Sequence, residues 1–86
     1  MLLFILNIHL ALGWTGTFFY LLAYFLLSIN KLASNQRLYH LLNIIGAIGL
    51  TVNAFYYADF PNVVANVFWG IIAIAAIIAI NKRKQN

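Results

Sequence analysis

Residues 57–62 read YADFPN and separate two apolar runs, LLNIIGAIGLTVNAFY (41–56) and VVANVFWGIIAIAAIIAI (63–80). This short polar break holds the chain's only acidic residue, Asp59, and its only proline, Pro61. Pro61 suits the first turn of a helix, where its missing N–H costs nothing. Asp59, just before it, is placed to satisfy the free amides of that helix start. YADFPN therefore reads as a tight turn between two spans rather than as a loop with structure of its own.

Upstream, residues 30–37 read NKLASNQR, polar and doubly basic, and they form the first break in the chain. A helix needs about 20 apolar residues to cross a hydrocarbon core. The uncharged run 1–30 is longer than that, so its helix tilts or begins near Asn7. It lacks the charged start and the A-x-A-like site of a cleaved signal peptide, so it is expected to remain as a span. The reading is one all-α domain over 1–86, with three transmembrane helices at about 7–28, 38–57 and 62–80.

The composition agrees. Of the 86 residues, 65% are hydrophobic and 7% charged, against roughly 25% charged in soluble domains, and the mean hydropathy is +0.94. A water-soluble domain is excluded. The net charge of +4 comes from too few bases for a nucleic-acid interface. All five bases, Lys31, Arg37, Lys82, Arg83 and Lys84, fall in the first connection or after the third span. Both places lie on one side of a three-span chain, which the positive-inside rule makes the cytoplasm. The N-terminus and YADFPN are then outside, the chain is a multi-pass protein of the plasma (inner) membrane, and a homodimer is parallel. The C-terminal KRK reads as a topology anchor at anionic headgroups.

Cysteine is absent, which removes disulfide and thiolate chemistry. One carboxylate and two histidines make no acid–base pair or nucleophile assembly, so an enzyme is not expected. His9 and His40 are a full span apart and cannot share a metal in one protomer. Each reads as an interfacial residue. No motif for a nucleotide, cofactor or metal is present.

Small residues mark the packing faces: Gly13, Gly16 and Ala23 in span one, Gly46 and Gly49 in span two, and Ala65, Gly70, Ala73, Ala75, Ala76 and Ala79 in span three. Such residues let helices approach closely in lipid. The amides carry more information. Asn43, Gly46, Leu50, Asn53 and Tyr57 recur at helical spacing on one face of span two, and Asn62, Asn66, Trp69 and Ala73 do so in span three. A mid-membrane asparagine needs partners for up to four hydrogen bonds, so Asn53 and Asn66 turn inward. They are either interhelical glue or the lining of a site for a neutral solute. Trp69, on the same face, suits stacking on a solute. Tyr20 and Tyr24 read as residues that cap their hydroxyls on a neighbouring helix.

Gly46, then Asp59-Phe60-Pro61, then Ala65-Asn66-Val67, with Gly13 early in span one, resemble the pattern of the SemiSWEET proteins of the PQ-loop superfamily. The resemblance implies a bacterial parallel homodimer with span order 1-3-2, a central pathway, alternating access for sugars, and a substrate contact at Asn66. The chain departs from that family at Leu50, where the family has a pocket tryptophan, and at Leu26-Leu27, where it has Pro-Gln. The chain also resembles small bacterial three-helix proteins with L-G-W-x-G near the start and P-x-x-x-x-N-x-x-W in span three, matched by Gly13-Trp14, Gly16, Pro61, Asn66 and Trp69. The expected function is a homodimeric transporter or facilitator of a small neutral solute, with Asn66, Asn53 and Trp69 as its contacts. The alternative is a non-transporting accessory or scaffold subunit.

Overall fold

The computed structural model describes the backbone of residues 2–85 and the side chains of 7–83. The chain is all-helical: α1 is Leu2–Ser28, α2 is Arg37–Tyr56 and α3 is Phe60–Gln85. All three are long and apolar enough to cross a membrane, over Asn7–Ser28, Arg37–Tyr56 and Phe60–Arg83. Apolar runs become helices in such a setting because only a helix or a closed barrel satisfies its own backbone in hydrocarbon. The longest dimension, 51 Å, exceeds a bilayer's hydrocarbon core of about 30 Å. Large apolar side chains such as Phe18, Leu21, Phe25, Phe55 and Ile72 point outward, as a lipid-facing surface requires.

Four helix ends lie within about two residues of the expected ones; α1 begins at Leu2 rather than near Asn7, and α3 runs on through Asn81, Lys82 and Arg83 to Gln85 instead of stopping at 80. The side chain of Lys84, part of the expected basic anchor, lies outside the described residues. Pro61 is the second residue of α3, within the first turn. Asp59 corrects an expectation: its carboxylate accepts the side-chain amide of Asn62, rather than backbone amides of the helix start.

Two helices end in the same way. The Asn30 N–H donates to the Leu27 carbonyl at 3.2 Å and the Lys31 N–H to Leu26 at 2.9 Å, with Asn30 at φ 64°. At the end of α2, Ala58 donates to Phe55 at 3.0 Å and Asp59 to Ala54 at 2.9 Å, with Ala58 at φ 55°. Both are Schellman closures, in which a left-handed residue turns the chain back to cap the last carbonyls. They make the two connections short. At the basic end, Arg37 Nε donates to Asn81 Oδ1 at 2.6 Å, tying the start of α2 to the end of α3.

Close backbone contacts join α1 to α2 and α2 to α3. Among the described residues α2 makes close contacts with both other helices. The α1–α2 seam is built on glycine: Gly16 faces Gly46 and Gly49, with backbone atoms of one helix where the other's Cβ would be, while Gly13 faces the Asn53 side chain. The α2–α3 seam is looser, with a Cβ on Gly70 meeting that of Ala47 at 3.3 Å. Ala73 is buried, but Ala65, Ala75 and Ala79 are exposed. The small-xxx-small pair Ala75/Ala79 therefore takes no part in packing within the protomer.

Candidate functional site

Because α1 and α3 flank α2 without closing on each other, a groove runs between them over the α2 floor. Its volume is about 710 Å³, and it is lined by residues of all three helices. The amide-bearing face of α2 supplies Asn43, Leu50, Asn53 and Tyr57. The stripe on α3 supplies Asn62, Asn66 and Trp69, while α1 contributes Tyr20 and Tyr24. Helical spacing explains the convergence, since residues three and four apart share a face. The three expected contacts, Asn53, Asn66 and Trp69, thus line one groove. Asn53 and Asn66 are half-buried and Trp69 is 50% exposed.

Each amide already has a partner in the protein. Tyr20 Oη donates to Asn66 Oδ1 at 2.9 Å, and Asn66 Nδ2 donates to the Asn62 carbonyl at 2.9 Å. The Asn62 amide in turn donates to Asp59, so a polar chain leads from the turn to mid-groove. Asn53 Nδ2 donates to the His9 carbonyl at 3.0 Å. Deeper along the groove, Asn43 Nδ2 donates to the Tyr39 carbonyl at 3.1 Å. Trp69 Nε1 lies 3.5 Å from Asn43 Oδ1, at the long limit of such a bond.

The groove carries one charged side chain, Asp59, at the turn end, and no lysine or arginine lines it. A smaller cavity of about 260 Å³ adjoins it and shares Leu50, Asn53 and Tyr57. Its α1 wall is Leu10, Gly13, Trp14 and Thr17. With four asparagines, four tyrosines and a tryptophan on its walls, the main groove offers hydrogen bonds and aromatic faces to a neutral polar molecule.

His9 is buried, at 2% exposed, stacked on Tyr56 with ring centroids 3.6 Å apart and edge-on to Tyr57 at 5.0 Å. The α1–α2 glycine seam brings those rings together at the turn end of the bundle. Tyr24 lines the groove but is 68% exposed, and its hydroxyl caps no neighbouring helix among the described residues. Tyr20, in contrast, reaches α3, and its ring lies over Gly46. Tyr20 was expected to cap its hydroxyl on a neighbouring helix, and it does so on Asn66; neither it nor Asn43 was among the expected solute contacts, though both line the groove. The signal for Tyr20 is Gly16 one turn earlier on its own face, with a glycine on the facing helix leaving room for a ring.

A protein family whose description names no activity matches residues 9–84, and the chain belongs to that family. No curated protein and no solved structure matches it.

Proposed function

We propose that the protein is a homodimeric transporter or facilitator of a small neutral solute in the plasma membrane of a bacterium, with the N-terminus outside and the C-terminus cytoplasmic. The observation that carries this reading is the polar groove of about 710 Å³ lined by Asn53, Asn66 and Trp69. Amides and hydroxyls facing lipid are expensive. A second, parallel copy set groove to groove covers them and encloses a pathway that three helices alone cannot wrap. The orientation follows from the five bases at one end.

In this proposal Asn66 and Asn53 hydrogen-bond the solute and Trp69 stacks on it. Sugar as the solute rests on the SemiSWEET resemblance alone. Leu50, at the position of that family's tryptophan, lines the groove as an aliphatic side chain, so Trp69 supplies the flat surface from α3 instead. The shared neighbour in the proposed protomer is α2, and the resemblance's order 1-3-2 is not carried over.

The test is flux of labelled glucose, glycerol and urea into proteoliposomes holding the purified protein. Flux of at least one of them above empty vesicles, lost in Asn66→Ala, supports the proposal. Absence of flux for all three counts against it. The scaffold reading is favoured by one observation, that Asn53 and Asn66 already hold bonds inside the protein. It wins if Asn66→Ala lowers thermal stability or dimer yield and no flux depends on it.

A further inference from the structure

Among the described residues, one hydrogen bond crosses the groove between α1 and α3, which otherwise make no close backbone contact there. The Tyr20 hydroxyl donates to Asn66 Oδ1 at 2.9 Å. The orientation of the Asn66 amide is fixed by chemistry. The Asn62 main-chain carbonyl can only accept, so Asn66 turns Nδ2 toward it, at 2.9 Å, and Oδ1 faces the groove. Below, the Tyr20 ring rests on Gly46, where a Cβ would come 2.5 Å from Cδ1 and 2.8 Å from Cε1. The glycine gives the ring its seat, and the hydroxyl is its reach.

The bridge divides the groove. Toward the turn lie Asn53, Tyr57, Asp59 and Asn62. Toward the basic end lie Tyr24, Tyr39, Asn43 and Trp69. A solute moving along the groove meets the bridge at mid-depth. An acceptor held in a fixed direction within a lipid-embedded groove is costly to leave empty, so it passes from one donor to another.

We infer that Tyr20 stands in for the solute: its hydroxyl holds the Asn66 carbonyl, and a solute carrying an O–H or N–H donor takes that carbonyl in exchange and opens the groove past mid-depth. The inference rests on the proposed transport function and deepens it. It names the solute class as alcohols and amides, and it adds Tyr20 to the site as a specificity-determining residue that competes with the solute. Tyr20 and Asn66 then have opposite effects on flux, which no purely structural hydrogen bond produces.

The experiment compares Tyr20→Phe and Asn66→Ala with the wild type in two measurements. The first is glycerol and glucose flux in proteoliposomes. Tyr20→Phe, which removes only the competing hydroxyl, lowers the half-saturating concentration roughly two- to tenfold, the worth of one net hydrogen bond, whereas Asn66→Ala loses flux. An unchanged or raised half-saturation in Tyr20→Phe overturns the inference. The second measurement does not need flux. In the cysteine-free chain, Tyr24→Cys, on the basic-end side of the bridge, is labelled with a membrane-impermeant maleimide added from the face that holds residues 57–62. Both bridge variants raise that labelling rate severalfold, while Tyr57→Cys, on the near side, labels at an unchanged rate. Equal labelling of Tyr24→Cys with and without the bridge overturns the inference. Absence of flux in the wild type sinks the transport function, and the labelling then still decides whether the bridge closes the groove.

Discussion

A Cβ atom on Gly16 of α1 would stand 2.7 Å from the carbonyl oxygen of Gly46 on α2 and 2.9 Å from the Leu50 nitrogen. The two helices meet backbone to backbone at this point, with the Leu50 side chain closing in at 3.1 Å. The crossing continues at Gly49, whose Cβ would run into the Leu12 carbonyl and the Gly16 backbone. In lipid there is no hydrophobic exclusion to press helices together, so contact area gained by close approach holds them. This seam brings His9 under Tyr56 and sets Tyr20 over Gly46, and so it positions the α1 wall of the groove.

Gly16→Ala and Gly49→Ala are therefore expected to be the most damaging single-methyl insertions in the chain. Backbone atoms cannot swing aside as a side chain can, and overpacking costs about 1–3 kcal/mol. Thermal unfolding in detergent should show a clear loss for both. Gly70→Ala, which meets only the Ala47 methyl at 3.3 Å, should lie close to the wild type. Equal effects at all three positions would contradict the seam.

Gly13 differs from its neighbours, because the three atoms nearest its Cβ position all belong to the Asn53 side chain, the nearest being Nδ2 at 2.6 Å. Asn53→Ala removes the bond to the His9 carbonyl and should cost about 1 kcal/mol. Gly13→Ala should destabilise alone and cost less in the Asn53→Ala background, where only the Cβ contact at 3.0 Å remains. A double-mutant cycle by thermal unfolding reads this coupling, and simple additivity of the two substitutions would rule it out.

Ala58 closes α2 at φ 55°, a conformation that costs an L-residue with a Cβ about 1–2 kcal/mol. Glycine escapes that strain but loses about 0.5–1 kcal/mol through its freer unfolded chain. Ala58→Gly is thus expected to stabilise by about 0.5 kcal/mol, and Ala58→Val to destabilise, since a β-branched side chain tolerates positive φ poorly. The ordering Gly above Ala above Val in unfolding temperature checks it.

Topology can be read in the same cysteine-free background. Phe60→Cys, at the exposed start of α3, should react with an impermeant maleimide added outside intact cells. Ser34→Cys, in the exposed first connection, should react only after permeabilisation. Replacing Lys31, Arg37, Lys82, Arg83 and Lys84 together with glutamine removes the positive bias that sets orientation, and both sites should then label from outside in part of the population.

The chain alone determined the number of helices, their ends to within about two residues at four of six boundaries, and the segregation of charge. These are local quantities: hydropathy over about 20 residues decides whether a segment crosses, and a polar break such as 57–62 is visible wherever it falls. The faces bearing Asn53 and Asn66 were likewise legible, because spacing along one helix places them. Only the tertiary structure decided which helices touch. It alone set His9 in a ring stack, left Ala75 and Ala79 outside the packing, and gave Asn66 to Tyr20. In a chain where almost every face is apolar, hydropathy does not say which face meets a neighbour. That choice falls to where two glycine backbones fit together and where one amide finds its donor, and both depend on helices distant in sequence.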